Sequence, residues 1–130
     1  MSDALPQLIA AAKSAAAKAH CPYSKFRVGA VLETRSGNHF PGCNVENASF
    51  GGTVCAERNA IGAAVLAGDT DIVRCVVYTP TPTPAAPCGF CRQVLAEFSP
   101  DCAIVSVCDG PEQIVTTLAE LLPRQFVFEG

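Results

Sequence analysis

Hydrophobic and polar positions in the first third of the chain follow two patterns. In residues 5–19 the apolar side chains recur every three or four positions, which predicts an amphipathic helix. Residues 21–24 contain a proline and are expected to end that helix. Residues 26–34 and 39–45 are strand candidates, and Ser36-Gly37-Asn38 between them is typical of a hairpin turn. This part of the chain therefore predicts a helix followed by two hairpin strands.

In the rest of the chain, helical segments alternate with short and largely continuous apolar segments. Gly68-Asp69 is expected to end a helix, and residues 79–84 alternate threonine with proline, which predicts a stiff extended loop. The predicted elements are a helix at residues 55–67, a buried strand at 72–78, a helix at 90–98, a buried strand at 103–108, a weak helix at 112–121 and a short last strand at 126–128.

The order of these elements indicates the fold class. Strands alternating with helices favour an α/β protein, a three-layer α/β/α sandwich with a mixed sheet of about five strands. A chain of 130 residues is close to the usual size of a single hydrophobic core. We therefore expect residues 1–130 to form one domain.

Composition and charge narrow the class of function. Apolar residues make up 49% of the chain and charged residues only 16%, which excludes intrinsic disorder and favours an oligomer. A net charge of −3 without a lysine or arginine block argues against binding nucleic acid. No apolar run approaches the roughly 18 residues of a membrane helix, and no signal peptide is recognisable, so we expect a cytoplasmic protein and no membrane contact. In a reducing compartment the eight cysteines indicate metal ligands or buried thiols.

Two cysteine-containing segments carry the candidate chemistry. Cys55 begins one predicted helix, and Cys88 and Cys91 lie at the start of another. A helix N-terminus stabilises negative charge and so favours the thiolate that binds metal. Three cysteines can hold Zn²⁺ and leave its fourth position open, which distinguishes a catalytic zinc from a structural one.

Glu57 and Arg58 are further candidate residues for the same metal site. Glu57 follows Cys55 by two residues, or about 200° around a regular helix, so both reach one site only if Cys55 lies at the helix entrance. A carboxylate there can take a proton from a water molecule and pass it on. Arg58 can donate hydrogen bonds to the sulfurs and offset the negative charge of three thiolates around Zn²⁺.

The sequence resembles a family of zinc-dependent deaminases. Its Cys-x-Glu and Pro-Cys-x-x-Cys segments are similar to the signature of that group. Further segments in family order extend the resemblance from residue 23 to residue 126, and they are similar to the short, cytidine deaminase type of pyrimidine nucleoside deaminase. These segments are residues 26–30, 42–48, 91–95 and 121–123.

The resemblance implies a fold, a reaction and a cofactor. The fold is the cytidine deaminase-like sandwich, and the protein is expected to be a hydrolase. It would convert cytidine or 2′-deoxycytidine and water to uridine or 2′-deoxyuridine and ammonia, in pyrimidine salvage. One Zn²⁺ per subunit would be held by Cys55, Cys88 and Cys91 and would activate the attacking water. Glu57 would carry the proton to the pyrimidine and then to the leaving amine.

The resemblance also implies how the nucleoside is bound. Asn44 and Glu46 match residues that bind ribose hydroxyls, and side chains two apart on a strand share a face. Phe26 matches an aromatic residue that packs against the base. The backbone N–H of Ala56 is expected to contact the pyrimidine.

Two further aromatic residues relate to assembly. Short deaminases of this type are usually homotetramers with sites shared between subunits, and Phe126 matches an aromatic residue supplied by a neighbour. Phe50 stands where many members have tyrosine, so a phenolic hydroxyl is missing from this chain.

The residues alone leave several alternatives open. Cys43 could be a fourth ligand of a structural zinc, or Cys88 and Cys91 could form a redox pair. The chain could instead deaminate a modified nucleoside or a nucleoside antibiotic, or be a non-catalytic, zinc-stapled oligomeric module. His20 and His39 have no ligand spacing and are expected at the surface. The cysteines expected to be buried free thiols are Cys21, Cys43, Cys75, Cys102 and Cys108.

Overall fold

A computed structural model describes residues 3–130 and shows helices on both faces of one sheet. The strands are in the order β2-β1-β3-β4-β5. The elements are α1 (Leu5–Ala16), β1 (Gly29–Thr34), β2 (His39–Cys43), a single 3-10 turn (Phe50–Gly52), α2 (Ala56–Ala67), β3 (Ile72–Tyr78), α3 (Gly89–Phe98), β4 (Ala103–Val107), β5 (Ile114–Thr117) and α4 (Leu118–Leu121).

The sheet is mixed, as the order of predicted elements indicated. β1 pairs antiparallel with β2 and β3, β3 pairs parallel with β4, and β4 pairs antiparallel with β5. The parallel pair is joined through α3, since parallel neighbours need a crossover connection. This crossover carries Cys88 to the same end of the sheet as the start of α2.

Both faces of the sheet are buried, which confirms the three-layer α/β/α sandwich. On one face Val31 and Val76 pack in a cluster with Leu8 of α1. On the other face Leu32 and Ile104 pack in a larger cluster with residues of α2 and α3. Neighbouring residues of β1 therefore point to opposite layers, which explains why this strand has a continuous apolar run.

The end of the chain differs from the prediction. Residues 112–121, predicted as a weak helix, contain the strand β5 followed by the single turn α4. The Ile-Val-Thr-Thr sequence of β5 is β-branched throughout and pairs with the edge of β4, which overrides the weak helical pattern. Residues 126–128, predicted as the last strand, form neither a strand nor a helix and are exposed. The fifth strand of the sheet is therefore β5.

Two element boundaries near the start of the chain also differ from the prediction. The first helix ends at Ala16 rather than at residue 19, and β1 begins at Gly29 rather than at residue 26. The intervening residues form turns that lie beside the end of β2, where Asn44 accepts and Glu46 donates backbone hydrogen bonds with His20. These irregular residues become part of the candidate site described below.

Close approach of β2 to α2 fixes where the second helix begins. Gly42 lies so near α2 that a Cβ atom there would be 2.5 Å from the Ala56 carbonyl oxygen and 2.5 Å from the Ala60 nitrogen. Only glycine allows this packing. At the other end, Gly68 ends α2 in a left-handed conformation with φ of 72°.

Within residues 3–130, no helix combines the length and the apolar character that crossing a membrane would require.

Candidate metal and active site

The three cysteines meet where two helices begin. Cys55 is the N-cap of α2, with extended backbone angles of φ −69° and ψ 157°. Cys88 is the N-cap of α3, and Cys91 lies in the first turn of that helix. Because Cys55 precedes the helical residues, it shares a site with Glu57 despite their two-residue spacing. The structure thus confirms that Cys55 lies at the helix entrance, as the two-residue spacing required.

The sulfur atoms are spaced as zinc ligands require. The Sγ atoms of Cys55 and Cys88 are 3.8 Å apart and those of Cys88 and Cys91 are 3.4 Å apart. Three ligand sulfurs around one tetrahedral zinc, each about 2.3 Å from the metal, lie about 3.8 Å from each other. A donor set made only of thiols also suits zinc. The residues therefore fit this metal.

A fourth protein ligand is missing from the group that the structure describes. In residues 3–130, one group of three or more His, Cys, Asp or Glu residues has its ligand atoms within 4.8 Å of one another, and it consists of these three cysteines. The alternative of a structural zinc with Cys43 as fourth ligand is thus not supported. A fourth coordination position open to solvent or substrate is the arrangement of a catalytic zinc.

The surroundings of Cys55 and Cys91 shift the pKa values of these two thiols in opposite directions. Hydrogen bonding by the Cys91 thiol and by the Arg58 guanidinium lowers the pKa of Cys55 to about 5, although burial opposes it. The pKa of Cys91 is raised, because its hydrogen bond favours the Cys55 thiolate and because it is buried. Arg58 reaches the cluster through its NH2 nitrogen, 3.5 Å from the Cys55 sulfur.

Glu57 lies beside the cluster in the first turn of α2. Its side chain is only 4% exposed. Burial raises the pKa of the Glu57 carboxyl, and the negative charge of Cys55 raises it further. A carboxyl in this position can both accept and release a proton.

A cavity of about 280 Å³ opens onto these groups. Its volume is close to the lower end of the range for small-molecule sites, about 300–1,000 Å³. Cavity-lining residues that the sequence had singled out are Phe26, Asn44, Glu46, Cys55, Ala56, Glu57 and Cys88. Most of the predicted site is therefore gathered around one small cavity.

Asn44 and Glu46 are both buried and both hold the loop that precedes β1. Asn44 Oδ1 accepts a hydrogen bond from the Val28 backbone N–H at 2.9 Å, and its Nδ2 donates to the Phe26 carbonyl at 2.7 Å. Glu46 accepts hydrogen bonds from two backbone N–H groups and from the Ser24 hydroxyl. The Ser24 hydroxyl lowers the pKa of Glu46, so this carboxyl is ionised at neutral pH.

Several cavity-lining residues were not anticipated from the sequence. Ser24 lies in the segment interpreted only as a helix stop, and Thr79 immediately follows β3. The position of Thr79 carried a signal, since ligands in α/β proteins commonly bind beyond the carboxyl ends of strands. The remaining unanticipated lining residues are Val28, Thr53, Val77, Ala85 and Ala86.

Phe50 and Phe126 do not line this cavity. The Phe50 ring packs edge-on against Tyr23, with centroids 5.0 Å apart, and is 67% exposed. Phe126 is 71% exposed, and its carbonyl accepts a hydrogen bond from Gln93. Within one chain, neither aromatic ring completes the pocket.

The other cysteines and the histidines behave largely as expected. His20 and His39 are exposed. Burial raises the pKa of Cys75 and brings that of Cys102 to about 11, so both remain protonated thiols. Cys43 is only half-buried, in contrast to the prediction, because it lies at the end of the edge strand β2.

Fold and site together define a class of protein, the α/β/α proteins with a thiolate metal centre at the N-termini of two helices. Within that class the chain belongs to the family described as the cytidine and deoxycytidylate deaminase zinc-binding region, whose profile matches residues 3–107. Zinc is accordingly its cofactor.

Similar proteins and structures agree with this membership. The chain is 43% identical over 121 residues to a cytidine deaminase of Sporosarcina psychrophila, covering 92% of this chain and 89% of that protein. It is similar to the crystal structure of cytidine deaminase from Burkholderia pseudomallei, with 44% identity, a TM-score of 0.90 and coverage of 97% and 100%. A blasticidin-S deaminase of Bacillus cereus is 31% identical over 111 residues, with 79% of each chain covered.

Proposed function

We propose that this single-domain chain catalyses the hydrolytic deamination of cytidine and 2′-deoxycytidine. The C4–N4 bond of the base breaks, a C4–O bond forms from water, and uridine or 2′-deoxyuridine and ammonia leave. One observation carries the proposal: the buried Glu57 carboxyl and two of the three thiols of the metal site, Cys55 and Cys88, line one cavity sized for a small molecule. Family membership supports the same reaction.

Glu57 moves the proton in the proposed reaction. Bound Zn²⁺ supplies the Lewis acid that polarises the attacking water. The Glu57 carboxylate takes one proton of that water and delivers it to N3 of the base. It then takes the remaining proton from the oxygen now bonded to C4 and passes it to the leaving amine, which departs as ammonia. Burial and the neighbouring Cys55 thiolate favour its protonated form, so the carboxyl holds a proton between these transfers.

The remaining lining residues bind and orient the nucleoside. The Ala56 N–H is among the first N–H groups of α2, which have no partner within the helix, and it is free to donate to the pyrimidine. Phe26 packs against the base. Asn44 Nδ2 keeps a second hydrogen and Glu46 keeps lone pairs beyond those already used, so both can bind ribose hydroxyls while holding their loop.

The test is a chromatographic assay of the zinc-loaded protein with cytidine, 2′-deoxycytidine and blasticidin S in parallel. We expect uridine or 2′-deoxyuridine and ammonia in equal amounts. No product from either nucleoside, with zinc bound and the fold intact, would contradict the proposal. Turnover of blasticidin S alone would move the substrate class to the nucleoside antibiotics.

We further propose a homotetramer in which neighbouring subunits complete the sites. The exposed Phe50 and Phe126 rings and the low charge content support association. Co-expression of Glu57→Gln and Phe126→Ala subunits tests this, because mixed oligomers would regain intact sites. Light scattering gives the oligomeric state. Activity of the mixture no higher than that of the separate variants would contradict sharing of Phe126.

We place the proposed reaction in pyrimidine salvage in the cytoplasm. All eight cysteines are free thiols, which suits a reducing compartment.

A further inference from the structure

Phe90 is an exposed aromatic residue between two of the metal-binding cysteines. It lies in the first turn of α3, and 76% of it is exposed. Its ring does face one partner, because the Arg58 guanidinium carbon lies 5.6 Å from the ring centroid. This distance is within the range of a cation–π contact. The two helix starts are thus joined by this contact as well as by the cysteines.

The other contacts of the Arg58 guanidinium come from one nitrogen. Its NH2 nitrogen donates both of its hydrogen bonds, at 3.2 Å to the Thr53 carbonyl and at 3.5 Å to the Cys55 sulfur. Its Nε is buried without a hydrogen-bond partner among the residues that the structure describes. A guanidinium anchored through one nitrogen can pivot about that nitrogen. The Phe90 ring restrains the plane of the group, which the hydrogen bonds alone do not.

We propose that Phe90 is a positioning residue, whose ring holds the Arg58 guanidinium against the Cys55 sulfur and thereby keeps that ligand in place for the metal. The proposal deepens the proposed function, on which it rests for the role of the metal. Neither Phe90 nor Arg58 lines the cavity of its own chain.

The physical consequence concerns the mobility of one ligand. Hydrogen bonds from outer residues fix the orientation of metal ligands, and losing one typically weakens metal binding tenfold or more. Phe90 acts one contact further out, through Arg58. Without the ring, water competes for the guanidinium, Arg58 swings toward solvent, and the Cys55 side chain is free to rotate away from the other two sulfurs.

The experiment measures zinc release from the loaded protein to an excess of a coloured chelator, without substrate. Phe90→Ala is expected to release zinc about two- to tenfold faster than wild type. Phe90→Tyr, which keeps a ring over the guanidinium, is expected to restore the wild-type rate. Because no turnover is measured, this result is independent of whether the proposed reaction is correct.

Two comparisons separate positioning from a general effect of truncation. Leu66→Ala removes a 90% exposed apolar side chain from the same helix as Arg58 and is expected to leave zinc release unchanged. In an Arg58→Ala background, adding Phe90→Ala should not accelerate zinc release further, because Phe90 acts through Arg58.

A second readout is the steady-state kinetics with cytidine. Phe90→Ala should lower kcat and leave KM unchanged.

Two outcomes would overturn the proposal. One is zinc release from Phe90→Ala at the wild-type rate, including the case in which only the oligomeric state changes, which would make Phe90 a subunit contact. The other is the same acceleration with and without Arg58, which would show that the ring does not act through the guanidinium.

Discussion

Glu57 shows how one residue obtains a proton-carrying role from its surroundings. The α2 N-terminus favours a carboxylate, whereas burial and the adjacent Cys55 thiolate favour the protonated acid. Burial and the Cys55 charge have the larger effect, since the pKa of Glu57 is raised. A carboxyl shifted in this direction suits a group that must hold a proton between two transfers.

Replacing Glu57 by glutamine should abolish turnover without removing the metal. The amide keeps the size of the side chain but cannot accept the proton, so we expect kcat to fall by about 10² or more. Metal analysis should still find one zinc per chain, because Glu57 is not among the ligands.

The matched control for this change is Glu97→Gln. Glu97 lies on α3 and is exposed, so the same substitution there should leave both kcat and zinc content unchanged. Turnover by Glu57→Gln near the wild-type rate would place the proton carrier elsewhere.

At the scale of elements, the contact between β2 and α2 sets the position of the site. Gly42→Ala places a methyl group 2.5 Å from two backbone atoms of α2 and must push the helix away from the sheet. We expect unfolding to become easier by about 1–3 kcal/mol. Activity should fall as well, because Cys55, Ala56 and Glu57 move with the helix start.

Gly62→Ala separates this effect from glycine replacement in general. Gly62 lies on the same helix, is exposed, and has open space where a Cβ would be added. Alanine there should stabilise the protein by about 0.5–1 kcal/mol with unchanged kcat. Thermal unfolding and the cytidine assay are measured for both Gly42→Ala and Gly62→Ala. Equal changes in stability and activity in the two variants would argue against a clash of the methyl group added at position 42 with α2.

A second element-scale contact joins the β1–β2 turn to the end of α2. Asp69 Oδ2 accepts hydrogen bonds from Thr34, Ser36 and Asn38, and these bonds lower its pKa. A carboxyl with a lowered pKa stabilises the fold above its ordinary pKa of 3.8, and this contribution is lost as the pH falls further.

Asp69→Asn should therefore lower the Tm at neutral pH and converge with wild type as the pH falls below the ordinary pKa. Thermal unfolding from pH 7 to pH 2 measures this. Asp71→Asn is the control, because its ion pair with Arg35 is exposed on both sides and contributes little. A constant Tm difference at every pH would show that the charge of Asp69 is not responsible.

At the scale of the whole molecule, the metal joins two separate parts of the chain. Cys55 precedes α2, whereas Cys88 and Cys91 belong to the crossover between β3 and β4. A metal bound only by the folded protein stabilises it, by about 4 kcal/mol when free metal exceeds its Kd roughly a thousandfold. Zinc is thus expected to stabilise the fold as well as to serve the reaction.

Cys88→Ala should lose tightly bound zinc and show a lower Tm in the presence of zinc. Cys43→Ala is the control, because Cys43 is a free thiol outside the ligand group. Metal analysis after dialysis distinguishes them. Full zinc content in Cys88→Ala, or loss of zinc from Cys43→Ala, would contradict the ligand assignment.

Residue spacing and hydrophobic pattern were enough to predict the candidate metal ligands and the three layers of this protein. Cysteines with the spacing Cys-x-Glu and Cys-x-x-Cys constrain metal geometry through local helix structure, which short-range spacing encodes directly. Mostly apolar segments likewise identified β1, β3 and β4, because a strand covered on both faces exposes few of its side chains to water.

Features that depend on residues far apart in the chain could not be predicted from the sequence. β5 is a strand because the edge of β4 offers it hydrogen bonds, and residues 126–128 have no such edge within this chain. Two side-chain contacts also join residues from different elements. Asn44 and Glu46 both bind the loop that precedes β1, and the Phe90 ring lies against Arg58. Such contacts depend on how the layers pack in space, and the local periodicity of a sequence does not encode that packing.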